Sequence, residues 1–223
     1  MSDGVYPELN FPEPPQGRPY VFINMVSTID GKIVTGNRDE PVQDLGSAMD
    51  HATMRQIQAH ADGILIGAGT LRSTPKLWYP EGKYRFVASR SGAVDPFVRF
   101  FSDDPGRAFV VTSVAGAERV PEDAQAICVG EEELDFEELL GIMRSEMDIR
   151  YLLVEGGSHL NAELFGLGFV DEIFLTFAPK IKLGEDVPTI ADGVALDRAN
   201  VQDFELVCVK QVASELFLRY RRV

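Results

Sequence analysis

The tightest constraint on this chain is a recurrent pairing: a short, almost wholly apolar run, then glycines, then a helix-like stretch. Gly63-Ile-Leu-Ile-Gly67 leads into Ala68-Gly69-Thr70, and Tyr151-Leu-Leu-Val154 leads into Glu155-Gly156-Gly157-Ser158. Tyr20–Val26 is a further run of strand length with little polar interruption. Strands without polar alternation suit a sheet covered on both faces, and that covering calls for helices on either side.

The rest of the chain fits the same plan. A helix is predicted from Ser47 to about His60, opened by the capping pattern Ser47-x-x-Asp50. Another is predicted from Asp135 to Met147, with Phe136, Leu139, Leu140, Met143 and Met147 on one face. A third runs from Ser158 to Phe165, and a brief helix follows Gly69. Residues 84–89, 107–112 and 124–129 read as further strands. Beyond Glu172 the pattern changes, and strands at 172–178, 204–209 and 216–220 follow with no helix between them. The prediction is an α/β fold in three layers, α/β/α, with a mostly parallel sheet and antiparallel C-terminal strands.

The 223 residues, of which 45% are hydrophobic, supply one core. No linker divides them, so residues 19–223 are expected to form a single domain. Five prolines fall within residues 1–19, and residues 1–18 are expected to be an extended arm outside that core.

Charge excludes some partners. Lys and Arg number 21 against 35 Asp and Glu, a formal net charge of −14. Such a surface repels nucleic acid and anionic membranes, and a phosphate-bearing ligand must be held by local devices such as helix N-termini or single arginines. No apolar run approaches the roughly 20 residues that span a bilayer. The N-terminus lacks the basic start and apolar core of a signal peptide, so a cytoplasmic protein is expected. Cys128 and Cys208 lie in apolar runs and are expected to be buried, unpaired thiols. Six of the eight residues 131–138 are acidic, which reads as a solvated face opening into the helix at Asp135.

In open α/β sheets ligands bind at the carboxyl ends of the strands, so the chemistry is sought in the turns there. Gly67-Ala68-Gly69-Thr70 is either a close-approach turn for a phosphate or a plain strand-to-helix turn. Glu155-Gly156-Gly157-Ser158 places a carboxylate at the mouth of a buried strand, where it must be paired, hydrogen-bonded or used. Ser158 can cap the helix that follows, and His159 on its own reads as a solvent-facing helix residue. Ser89-Arg90-Ser91 leaves a third strand; Arg90 is either a solvated turn residue or a contact for the 2′-phosphate of NADP. Asp30 is either a ligand contact or an Asx turn with Gly31, and Asp50 either acts on a substrate or completes the cap of Ser47. Neither a nucleophile-elbow motif nor a metal-ligand pair is present, so no metal is expected.

Taken in order, these stretches resemble one family. Tyr20–Val34 (YVFINMVSTIDGKIV), Ala61–Thr70 (ADGILIGAGT), Leu153–Gly157 (LVEGG) and Phe169–Ile173 with Ala178-Pro179-Lys180 are similar to the ordered motifs of the bacterial deaminase–reductase C-terminal domain. The resemblance spans residues 19–185 and implies a dihydrofolate-reductase-like fold. It implies NADPH-dependent reduction of the ribosyl group of a phosphorylated aminopyrimidine, as in riboflavin biosynthesis. Cofactor contacts are then expected at Val26 and Thr28, at Gly67, Gly69, Thr70 and Thr74, and at Ser89 and Arg90. The segment Gly156, Gly157, Ser158, His159 and Leu160 completes that set. Substrate contacts are expected at Asp30, Ser47, Asp50 and Glu155.

Two positions depart from the family pattern. Thr74 stands where an Asp is common, and Gln58 where a basic residue is common. Two readings on the same fold stay open: a pterin reductase anchored by Asp50, and a nucleotide-binding module without catalysis. The strand-rich C-terminus predicts a homodimer.

Overall fold

The apolar runs become strands, and the periodic stretches between them become helices. A computed structural model describes residues 4–37, 40, 42 and 44–223. Its strands are β1 (Tyr20–Thr28), β2 (Gly63–Gly67), β3 (Tyr84–Ala88), β4 (Ala108–Thr112), β5 (Gln125–Cys128), β6 (Tyr151–Val154), β7 (Glu172–Ala178), β8 (Phe204–Val212) and β9 (Glu215–Arg222). Its α-helices are α1 (Ala48–Ala59), α2 (Ala68–Ser73), α3 (Arg99–Ser102), α4 (Phe136–Ser145) and α5 (Ser158–Gly166).

Among the described residues these strands form one sheet in the order β5-β4-β3-β2-β6-β1-β7-β9-β8. β1 to β7 all run parallel, β9 is antiparallel to β7, and β8 is antiparallel to β9. The expected parallel sheet with an antiparallel C-terminal addition is what forms.

Side-chain alternation divides the core into two layers. Phe22, Ile64, Ile66, Val87 and Leu153 pack on one face against Ile57 of α1, Leu71 of α2, and Phe100 and Phe101 of α3. Val21, Ile23, Leu65, Phe86, Leu152 and Val154 pack on the other against α4 and α5.

Three details differ from the sequence reading. Among its described residues the N-terminal arm has no helix or strand, yet it is part of the core: Tyr6 and Leu9 are buried and Phe11 stacks on Phe22 with centroids 4.5 Å apart. The arm reaches both walls of a groove, for Tyr6 donates through its hydroxyl to the Leu218 carbonyl of β9 and through its N–H to Gln56 of α1. Proline keeps the arm extended, and extended chain is what a groove beside a helix accepts. Secondly, Cys128 is exposed and Cys208 only half-buried. Their apolar runs form β5 and β8, the two edges of the sheet, where burial is incomplete. Thirdly, α3 lies between the strands expected at 84–89 and 107–112, where no helix is predicted.

The sheet also splits. β6 stops at Val154, opposite Ile23, whereas β1 continues beside β7 until Thr28 faces Ala178. From Asn24 onward, β1 has lost its neighbour on one side. Asn24, Met25 and Val26 are half-exposed in the middle of an otherwise buried sheet.

Candidate active site

The split opens at the carboxyl ends of β1, β2 and β6, where the two glycine turns meet. Gly67 donates its N–H to the Gly156 carbonyl at 2.7 Å, and Glu155 donates its N–H to Leu65 at 3.1 Å. The turns therefore form one backbone platform. Gly156 has φ +73°, a conformation open to glycine at little cost, and a side chain there would meet the Met25 sulfur at 3.2 Å. A Cβ on Gly157 would have only the Thr70 hydroxyl within reach, at 3.5 Å, so the platform is bare backbone with one hydroxyl beside it.

Gly157, not Ser158, is the N-cap of α5, and it offers no side chain to the first-turn amides. Those N–H groups carry the positive end of the helix dipole and suit a phosphate oxygen. Ser158 is instead the first helical residue, held by the Asp192 N–H on its carbonyl at 3.2 Å. His159 is exposed and its Nδ1 contacts the Asp192 carbonyl at 2.8 Å. Asn161 is fully buried one turn into α5, donates to Ile190 at 2.7 Å, and leaves its Oδ1 without a partner. Thr112 and Ser113, at the end of β4, also hold buried hydroxyls with no partner.

Glu155 lies one step past β6, on the face of Leu153 and toward α1. Its carboxylate accepts from the Gln58 side-chain amide at 2.9 Å. Tyr79 is buried beside it, with a hydroxyl that lacks a partner of good geometry. Desolvation lifts the Glu155 pKa from 4.5 to about 7, and hydrogen bonding by Gln58 and Tyr79 resists that rise. No cation contributes to the balance. A carboxyl in this state exchanges a proton near neutral pH. Gln58 is itself buried and is the partner of Glu155.

Other predicted residues have local work. Asp30 accepts from the Thr28 hydroxyl at 2.6 Å and from the amides of Lys182 and Leu183 at 3.1 and 2.8 Å. The Thr28 hydrogen bond leads in holding the Asp30 pKa down to about 2. Thr28 also accepts from the Lys32 amide at 2.8 Å, so Thr28 and Asp30 together tie the turn after β1 to the 182–183 segment. Ser47 caps α1 through Met49 and Asp50 amides, but the reciprocal partner is Glu215 of β9, not Asp50. Asp50 is buried, with a pKa raised by desolvation against a Thr176 hydrogen bond. Thr74 closes α2, its N–H donating to Thr70 at 3.0 Å. Ser89 is buried in the turn after β3, while Arg90 projects from that turn and pairs with Glu133 and Glu163.

The sequence reading missed Met25 and Tyr79. Met25 is hidden inside an apolar run, and only the early end of β6 exposes it. Tyr79 belongs to a loop with no pattern, and nothing local signals that it folds back under α1.

The family described as the RibD C-terminal domain matches residues 19–218. This chain belongs to that family. Among its curated relatives is a 2,5-diamino-6-ribosylamino-4(3H)-pyrimidinone 5′-phosphate reductase of Methanothermobacter thermautotrophicus, 29% identical over 91% of this chain and 98% of the relative. A protein of the same description from Aquifex aeolicus is 34% identical, over 79% of this chain and 84% of the relative. The fold is shared with Acinetobacter baumannii RibD (TM-score 0.75, 17% identity, 93% of this chain) and with a pyrimidine reductase-like protein of Corynebacterium diphtheriae (TM-score 0.72, 19% identity, 92% of each chain). The RibD-family chain spans 59% of the Acinetobacter protein's length. The dihydrofolate-reductase-like architecture and the membership expected from the ordered motifs both stand.

Proposed function

We propose that this RibD-family reductase uses NADPH to reduce the ribosyl group of a phosphorylated diaminopyrimidine to the ribityl form. One observation carries the reading: the split beside β1 joins a bare glycine platform to a half-buried, desolvated and cation-free carboxyl, Glu155, at one point. A dinucleotide fits the cradle. The Gly67, Gly69, Gly156 and Gly157 backbone and the first turn of α5 would hold its pyrophosphate, with Thr70 alongside. Met25 and Val26 would wall the nicotinamide end, and Ser89 and Arg90 would receive the adenosine end.

When bound, NADPH supplies a hydride. The protein's part is to hold the acceptor carbon in line and to exclude water. Glu155, on the α1 side, would hold the ribosyl hydroxyls and hold or release a proton near pH 7. Asp50 is braced by Thr176 and lies beside Glu215, which supports a role in the wall rather than as a pterin anchor.

Titrating the purified chain with NADPH and following nicotinamide fluorescence tests the cofactor, with saturable binding expected. The chain is also expected to restore growth to a riboflavin auxotroph lacking its reductase. Failure of both would remove the reading.

The partner is a second copy of the chain. β8 is an edge strand carrying exposed Leu206, Val207 and Val209, an apolar edge that invites pairing. Light scattering should give a dimer mass, and a monomer at micromolar concentration would count against it. Two thiols without a disulfide suit a reducing cytoplasm.

A further inference from the structure

Arg90 meets two acids at the place where a dinucleotide's adenosine ribose would lie. The turn that carries it is rigid. Gly92 (φ +71°) returns its N–H to the Ser89 carbonyl at 3.0 Å, and a Cβ on Gly92 would strike the Gly116 carbonyl oxygen at 2.1 Å. A Cβ on Gly116 would in turn strike the Arg90 carbonyl oxygen at 2.6 Å. Backbone lies on backbone, so the root of Arg90 is fixed while its side chain stays 65% exposed.

That guanidinium is shared. Its Nε lies 2.6 Å from Glu133, in the loop before α4, and its Nη2 lies 3.5 Å from Glu163 on α5. Glu163 stands five residues beyond Ser158, about 7.5 Å along the helix from the phosphate-facing turn. Desolvation raises the Glu163 pKa, and Arg90 offsets part of it.

The charges of the three groups sum to −1. A 2′-phosphate adds roughly −1.5 to −2 and must compete with Glu133 for the one cation. A ribose 2′,3′-diol adds no charge and brings two donors to two carboxylates, which is how an acid at this position favours NAD over NADP. Exposed ion pairs are weak and exchange readily, so either cofactor can open the cluster.

We propose that Glu133 and Glu163 are specificity-determining residues of this reductase: by sharing Arg90 they cancel its preference for a 2′-phosphate, so that the chain accepts NADH alongside NADPH. This rests on the reading that a nicotinamide dinucleotide lies across the strand ends, and the test separates the two.

Dissociation constants for NADPH and NADH are measured by nicotinamide fluorescence in the wild type, in the double variant Glu133→Gln with Glu163→Gln, and in Arg90→Ala. The wild type should hold the two cofactors within about tenfold of each other, as opposed charges of similar reach nearly cancel. The double variant should shift the ratio toward NADPH by about tenfold or more, because removing like charge beside a phosphate is worth that much. This shift should shrink in high salt. Arg90→Ala should weaken NADPH and spare NADH. A wild-type preference for NADPH beyond about a hundredfold would overturn the proposal, as would a double variant whose ratio stays within about twofold of the wild type. Binding of neither cofactor would overturn the underlying cofactor reading, and this one with it.

Discussion

Two desolvated carboxylates, one near each end of the sheet, Glu172 fully buried and Glu155 half-buried, show how differently this fold treats the same group. Glu172, at the amino end of β7, is fully buried and surrounded by donors: Tyr20 at 2.8 Å, Arg221 at 3.1 Å, and Arg219 in close contact. Arg219 also donates to the Asn10 carbonyl at 2.9 Å and lies over the Phe11 and Phe174 rings, so the cluster fastens the N-terminal arm to the sheet. Glu155, at the carboxyl end of β6, has a neutral amide and a phenol instead, and its pKa climbs to about 7. Burial alone therefore does not mark a functional acid. What marks Glu155 is desolvation without a cation at a strand end beside the glycine turns, which leaves the charge to be met by a ligand or a proton.

The sharpest way to break the contrast is Glu172→Gln. It strands Arg219 in the interior beside a neutral partner, and a loss of about 3–5 kcal/mol is expected from urea unfolding. Activity per folded molecule should hold. A milder loss than about 1 kcal/mol would mean that the pair is no more than a surface bridge.

Glu155→Gln should do the reverse. Turnover should fall by about 10²-fold or more, while stability is held or improved, since a neutral amide costs less to bury. Unchanged kcat/KM would remove Glu155 from the site. The same variant tests the pH dependence. A carboxyl whose folded pKa is raised binds more protons folded than unfolded between pH 4.5 and about 7, so its contribution to stability declines as pH rises through that window. Urea midpoints of the wild type should show this decline, and Glu155→Gln should flatten it.

The smallest effect is expected for Gln58→Leu. It removes the hydrogen bond that favours the charged carboxylate, costing about 1–2 kcal/mol and moving the titration of Glu155 to higher pH. A pH–rate profile that does not move would break the link between Gln58 and the site.

Much of the fold was readable in advance because its signals are local. Unbroken apolar runs placed β1, β2 and β6, and capping and period-3.6 patterning placed α1, α4 and α5, to within a few residues, and Asp135 caps α4 as its sequence suggests. The glycine turns were readable for the same reason, since a glycine that must take φ near +70° or admit a ligand declares itself in the sequence. The capping partner of Ser47 was not readable. Asp50 fits the local pattern, but Glu215 arrives from the far end of the chain and takes the bond. The arm misled for a similar reason: prolines announce extended chain, but only the groove between α1 and β9 decides whether that chain is buried.

What the sequence determined by itself was a parallel α/β sheet whose two glycine turns follow apolar strands and whose ordered motifs match one reductase family. Those features depend on backbone freedom and side-chain periodicity, which are properties of neighbours in the chain. Only the tertiary structure decided that β6 ends early and exposes Met25, that Gln58 and Tyr79 close on Glu155, and that Arg90 is shared by Glu133 and Glu163. Each of those depends on residues far apart in sequence meeting in a medium where charge is costly to leave unpaired, and no local pattern carries that information.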